Sequence, residues 1–260
     1  MKPVLLEFGP CTPAEWCLPI SSFGLFLLLA FVAGIAIARR RGTRLGIDPS
    51  QMLDLSLYMI IGGIIVGRLG YVIINWPTFA AAPLSIFKIW KDSGLTFYGA
   101  LVGGLIVAWV FARRRKIPLP RLMDVFASAL ALGYSVAMVG ALLHGLYVGR
   151  ASGVPWAVTM LLDRRHPTQI YLLLASLGTY QVLKAQERQD ATPGVLFYLW
   201  LLLFSLARVA VEFFVESPAA FGPFTLAQIV NVAAAVIAVI GLVVSARRPG
   251  AEPEVASPTV

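Results

Sequence analysis

The stretch MIIGGIIVGRLGYVII, residues 59–74, decides the fold. It is apolar from end to end except for Arg68. With LDLSLY (53–58) before it, the run exceeds the roughly 20 mostly apolar residues that a helix needs to cross a bilayer. An ionised side chain at that depth costs about 2.5–3.5 kcal/mol on insertion scales. Arginine keeps its proton inside proteins, so it cannot avoid the cost by neutralising. It has to face a polar cavity or meet a partner. LFYLWLLLFSLARVAVEFF, residues 196–214, repeats the pattern around Arg208. Two arginines inside apolar runs point to a site within the membrane that holds an anion. The anions most available at that depth are lipid phosphates.

Around these runs the 260 residues are 58% apolar and only 13% charged, too little polar surface for a water-soluble domain. The class is an all-α polytopic membrane protein. Seven spans are expected, at about 20–38, 53–74, 95–112, 122–148, 168–183, 194–214 and 224–246. The fourth is long enough to tilt or break at Gly133, Gly140 or Gly145, and the fifth is short and polar. The first run begins near Ile20, behind a polar stretch, so no cleaved secretory signal is expected. Basic residues set the orientation. Arg39, Arg40, Arg41, Arg44, Arg113, Arg114, Arg115, Lys116, Arg121, Lys184, Arg188, Arg247 and Arg248 fall on one side. Lys2, Lys88, Lys91, Arg150, Arg164 and Arg165 fall on the other. Thirteen against six puts the N-terminus outside and the C-terminus in the cytoplasm.

Residues 1–246 then read as a single membrane domain, and 247–260, Pro-rich and polar, as a disordered cytoplasmic tail. FAAAPLSIFKIW (79–90) and PWAVTMLLDRR (155–165) read as amphipathic surface segments. The net charge of +8 sits in short loop clusters, the pattern of topology determinants rather than of nucleic-acid binding. Cys11 and Cys17 fall on the oxidising side and form either a disulfide or two free thiols. No metal site or cofactor is expected, and no Walker-type loop, HExxH or GxSxG occurs.

Several residues can carry chemistry, each with a plainer reading beside it. Arg68 lies in GRLGY, where Gly67 and Gly70 allow close approach; it either binds a headgroup or pairs with Asp54 or Glu212. Arg208 and Glu212 are four apart on one helix face. Either they neutralise each other, or Glu212 aims Arg208 at a phosphate while Arg68 supplies a second positive charge. His166 and Gln169, in RRHPTQIY, are outer-mouth ligands or ordinary interfacial residues. His144 is a catalyst or a hydrogen-bonded core histidine, with Gly145 and Gly149 leaving space beside it. Tyr98 is an interfacial anchor, or a base if a nearby Arg stabilises its phenolate.

The order of these landmarks resembles the prolipoprotein diacylglyceryl transferase family, seven-span enzymes of the bacterial inner membrane, over roughly residues 20–246. SSFGLFL (21–27) resembles the family's aromatic-Gly-Leu opening of the first span. GRLGY is close to its Gly-Arg-Ile-Gly-Tyr, and GLTFYGALVGG (94–104) to its Gly-Met-Ser-Phe-His-Gly-Gly-Leu. HPTQIY (166–171) is close to its His-Pro-Ser-Gln-Leu-Tyr, and RVAVEFFVESP (208–218) to its Arg-x-x-x-Glu-Phe-Phe-Arg-x-Pro. Gly222, Thr225 and Gln228 match the opening of its last span. The resemblance implies phosphatidylglycerol, or another anionic phospholipid, as donor and the lipobox cysteine behind a prolipoprotein signal peptide as acceptor. Glycerol phosphate would leave. Arg68 and Arg208 would hold the phosphate. Tyr98 or His144 would assist the thiol. Gly140, Gly149, Arg150, His166, Gln169 and Glu212 would complete the binding site.

The chain departs from that pattern in places. AMVGALLHGLYVGR (137–150) keeps Gly140, Gly145, Gly149 and Arg150 of the family's Gly-Arg-hydrophobic-Gly-Asn-Phe-x-Asn-Gly-Glu…Gly-Arg block. Its Arg becomes Met138, its asparagines Ala141 and His144, and its Glu Leu146. Tyr98 replaces a family His, Phe23 a Tyr, and Val215 an Arg. A missing cation at Met138 weakens phosphate stabilisation. Two alternatives to the active transferase follow: a relative that binds anionic lipid or lipoprotein precursor without turnover, or a transferase with another acceptor.

Overall fold

A computed structural model describes residues 4–8, 18–80, 83–87, 94–160, 162–187, 192–217 and 222–247. Cys11, Cys17 and the tail from 248 lie outside these residues. Among the described residues the chain forms eight helices, one 3-10 turn and two short antiparallel ladders. Five helices are long and apolar enough to cross a membrane: α1 Ser22–Arg44, α2 Pro49–Ile74, α5 Leu119–His144, α7 Val195–Glu212 and α8 Leu226–Ala246. The protein is a polytopic membrane protein. Of the other expected spans, α4 (Phe97–Arg115) gives its last turn to Arg113, Arg114 and Arg115. The other, α6 (Thr168–Gln186), buries Thr168, Gln169, Ser176 and Thr179. The 3-10 turn Pro83–Phe87 falls within the expected surface segment 79–90, and α3 (Trp76–Ala80) overlaps its start.

The chain divides into two compact units, Met1–Ile37 with Phe126–Val260, and Ala38–Val125. In the second unit α2 starts where Asp48 caps the amides of Ser50 and Gln51, with Pro49 in the first turn. It packs along α4. Gly62 faces Gly103, Gly63 faces Ala100, and Gly67 faces Ala100 and Gly99, small residues that let the two helices approach closely. A Cβ on Gly99 would stand 2.8 Å from the Val66 carbonyl oxygen, so the backbones are already in contact.

In the first unit, β1 (Val4–Phe8) pairs antiparallel with β2 (Leu18–Ser21), which leads directly into α1. α5 lies against α1, where a Cβ on Gly140 would stand 2.6 Å from Phe26 Cβ. α7 packs along both α6 and α8. α8 opens with a complete capping box between Thr225 and Gln228.

Two expectations are corrected here. The fourth span, expected to reach residue 148, ends at His144. Gly145 takes φ +85°, and the amides of Gly145 and Leu146 both turn back to the Ala141 carbonyl at 2.9 Å. The segment 155–165 forms a hairpin, with β3 (Val158–Met160) paired to β4 (Asp163–Arg165) and Leu162 at φ +72° in its turn. The chain after α5 then threads a small ladder. Gly149 bridges Val215, and Ala151 bridges Arg165. The Arg150 amide donates to the Phe214 carbonyl at 2.8 Å, and the His166 amide to the Arg150 carbonyl at 3.1 Å.

Candidate functional site

In the unit Ala38–Val125, Arg68 is 4% exposed and its guanidinium is spread over main-chain acceptors. Nε donates to the Ile86 carbonyl at 3.0 Å, Nη2 to Ser85 at 3.0 Å and Nη1 to Gly94 at 3.1 Å. The Phe79 and Tyr71 rings lie 5.2 and 5.7 Å from it. Arg68 therefore fastens the connection between α3 and α4. Thr96 carries the link onward, donating from N and Oγ1 to the Gly67 carbonyl, each at 3.1 Å. Half-buried Tyr98 follows in the first turn of α4, so Arg68 and Tyr98 share this corner.

In the other unit, α7 brings Arg208 and Glu212 together as their spacing predicts. Arg208 Nη2 meets Glu212 Oε2 at 3.2 Å, with the residues 8% and 3% exposed. The second carboxylate oxygen accepts from Thr225 Oγ1 at 3.1 Å. The Tyr147 ring covers the guanidinium at 5.4 Å. Tyr147 has φ +55°, unusual for a bulky residue. Its carbonyl accepts from Thr168 Oγ1 and from Gln169 Nε2. Gln169 is fully buried, and its Nε2 also donates to the Leu146 carbonyl. Its Oε1 has no hydrogen-bond partner among the described residues.

His166, Arg150 and Gly149 come together at the start of α6. A side chain at Gly149 would collide with the His166 carbonyl. Arg150 projects outward and donates from Nε to the Val215 carbonyl at 3.3 Å. The His166 ring lies 4.9 Å from Phe214. Its Nδ1 is 3.1 Å from the Tyr171 hydroxyl, which accepts from Trp156 Nε1 at 2.7 Å. The Tyr171 hydroxyl can donate to Nδ1 or accept from it, according to the ring's tautomer.

His144 ends α5 with its ring 6.4 Å from Phe23. The altered positions gather beside it. Met138, Ala141 and Val215 form one buried cluster with Leu172 and Val211, and Phe23, Leu146, Tyr134, Tyr147 and Tyr171 pack against it. Positions where the resembling pattern is polar are apolar together in this cluster. Among the described residues no group of three His, Cys, Asp or Glu could hold a metal ion.

Sequence reasoning missed Tyr147, Tyr171 and Thr225 as members of this site. Thr225 carried a signal, since Thr225-x-x-Gln228 is a capping-box pattern just before an apolar run. Tyr147 carried none, because a positive φ on a tyrosine leaves no trace in composition.

A family model for prolipoprotein diacylglyceryl transferase matches residues 13–244. Three similar proteins are each named phosphatidylglycerol–prolipoprotein diacylglyceryl transferase. That of Synechococcus elongatus is 32% identical, covering 93% of this chain and 86% of its own. That of Chromohalobacter salexigens is 32% identical, covering 96% and 94%. That of Solidesulfovibrio magneticus is 31% identical, covering 95% and 94%. With its helices, its buried arginine on α7 and a match over nearly its whole length, the chain belongs to the prolipoprotein diacylglyceryl transferase family.

Proposed function

We propose that this protein transfers a diacylglyceryl group from phosphatidylglycerol to the lipobox cysteine of a prolipoprotein. The family match over residues 13–244 carries the reading. The acceptor sulfur, as thiolate, attacks the glyceryl carbon that bears the phosphate. A C–S bond forms, the C–O bond to phosphate breaks, and glycerol phosphate leaves with the electron pair. The nucleophile comes with the substrate, so the protein needs cations for the departing phosphate and a group that takes the thiol proton.

Arg208 is the cation at the phosphate, aimed by Glu212, while Arg68 holds the loop before α4. Tyr98 or His144 takes the proton. Arg150 and His166 stand at the outer mouth, Gln169 holds the Leu146 and Tyr147 carbonyls from within, and Gly140 and Gly149 keep the backbone close. The donor and the acceptor's signal peptide enter from the membrane. Seven spans cross the bacterial inner membrane, with the N-terminus outside and residues 247–260 as a cytoplasmic tail. Residues 1–246 act as one membrane domain.

The apolar cluster of Met138, Ala141 and Val215 favours a second reading, a relative that holds an anionic phospholipid without turnover. One experiment separates the two. Expressed in cells depleted of their own transferase, the protein should restore thioether lipidation of a model prolipoprotein. If a well-expressed protein retains phospholipid on purification but forms no thioether, the second reading stands. If it does neither, both fail.

A further inference from the structure

We propose that Thr225 and Tyr147 are positioning residues that hold Arg208 from two sides, an inference that rests on Arg208 as the phosphate cation. A carboxylate turns easily about its last torsion, which is broad and roughly two-fold. Glu212 can aim Arg208 only if both its oxygens are engaged. Oε2 meets Arg208 at 3.2 Å, and Oε1 accepts from Thr225 at 3.1 Å.

Thr225 is itself locked. Its Oγ1 accepts from the Gln228 amide at 3.2 Å, and its own amide donates to Gln228 Oε1 at 3.0 Å. A hydroxyl has one proton to give. With the helix amide already on its lone pair, that proton goes to Glu212. An ordinary N-cap uses only the acceptor half of the hydroxyl. Here the donor half is used as well, so the first turn of α8 sets the angle of a side chain on α7.

The opposite side is held by a different device. The Tyr147 ring lies 5.4 Å from the Arg208 guanidinium, within cation–π range. Its backbone sits at φ +55°, and Thr168 and Gln169 donate to its carbonyl. α6 thereby holds the ring against Arg208. Misplacing a charge-stabilising group by about 1 Å costs on the order of a hundredfold in rate.

The test compares Thr225→Val, Thr225→Ser, Tyr147→Leu and Tyr147→Phe in the full-length purified protein. The assay uses phosphatidylglycerol micelles and a lipobox peptide. A second readout is the NMR signal of the Arg208 Nε–H in protein labelled with 15N-arginine, assigned by its loss in Arg208→Lys. Thr225→Val and Tyr147→Leu should each lower kcat by at least about tenfold with KM for the peptide unchanged, and should broaden the Nε–H signal. Thr225→Ser and Tyr147→Phe, which keep the hydroxyl and the ring, should stay near the parent in both. A Thr225→Val or Tyr147→Leu protein with parental kcat and a parental signal overturns the proposal. So does equal damage from Thr225→Ser, which would mark mere packing. If Thr225→Val does not fold, the Tyr147 pair decides. If the parent itself transfers nothing, the transferase reading fails instead, and the NMR signal alone decides whether Arg208 is held.

Discussion

Changing Arg208 to Met would leave the Glu212 carboxylate, 3% exposed, without the cation it pairs with. Breaking a buried pair from one side typically costs about 3–5 kcal/mol, whereas replacing both charges with apolar residues is often neutral or better. Arg208→Met should therefore lower unfolding resistance in detergent titrations by about that amount, and adding Glu212→Leu should recover most of it. Equal losses in the single and double variants would show that the pair carries no such penalty. The spacing of Arg208 and Glu212 made their contact legible in the sequence. Nothing there fixed where the second carboxylate oxygen goes, because Thr225 lies thirteen residues on from Glu212 and across a turn. Arg68 differs again. Its depth was legible, but its three carbonyl partners come from a connection whose path no periodicity describes.

At the scale of elements, helices were read well where apolar runs were long, and turns were read poorly. α2 and α6 start and stop close to expectation. The end of α5 depends on a single glycine at φ +85°, and the run continues apolar past it, so composition cannot mark the stop. The hairpin at 158–165 is too short for alternation to stand out. Asp48 gives α2 a testable start. Its carboxylate is held below its ordinary value, first by the Ser50 side chain and then by the amides of Ser50 and Gln51. Because the folded pKa is depressed, this stabilisation is fully present above the unfolded carboxylate pKa. It is lost as pH falls through the lower folded value. Asp48 is fully exposed, so solvent screens the effect. Thermal melts of Asp48→Asn should match the parent closely near neutral pH, since asparagine caps as well. Below about pH 4 the variant should lose less stability than the parent. Identical acid profiles would remove Asp48 from the account.

For the whole molecule, the basic loops are the basis of the proposed orientation. Single cysteines at Arg164, Gly46 and Lys116, placed in a Cys11→Ser, Cys17→Ser background, would test it. A membrane-impermeant thiol reagent on intact cells should label position 164 and spare 46 and 116. Labelling at 46 or 116 would overturn the proposed seven-span arrangement. The class was legible because bilayer thickness constrains every span alike, and the family because its motifs keep their order along the chain. Arg68 has a consequence of another kind. The three acceptors described for it are main-chain oxygens, which every residue type supplies. At Ile86 it is the main chain that Arg68 holds, and mutational tolerance should be high there. At Gly94, where a Cβ would run into the Tyr71 ring, it should be low. The side chain that gathers Ser85, Ile86 and Gly94 is carried by α2, outside the loop itself.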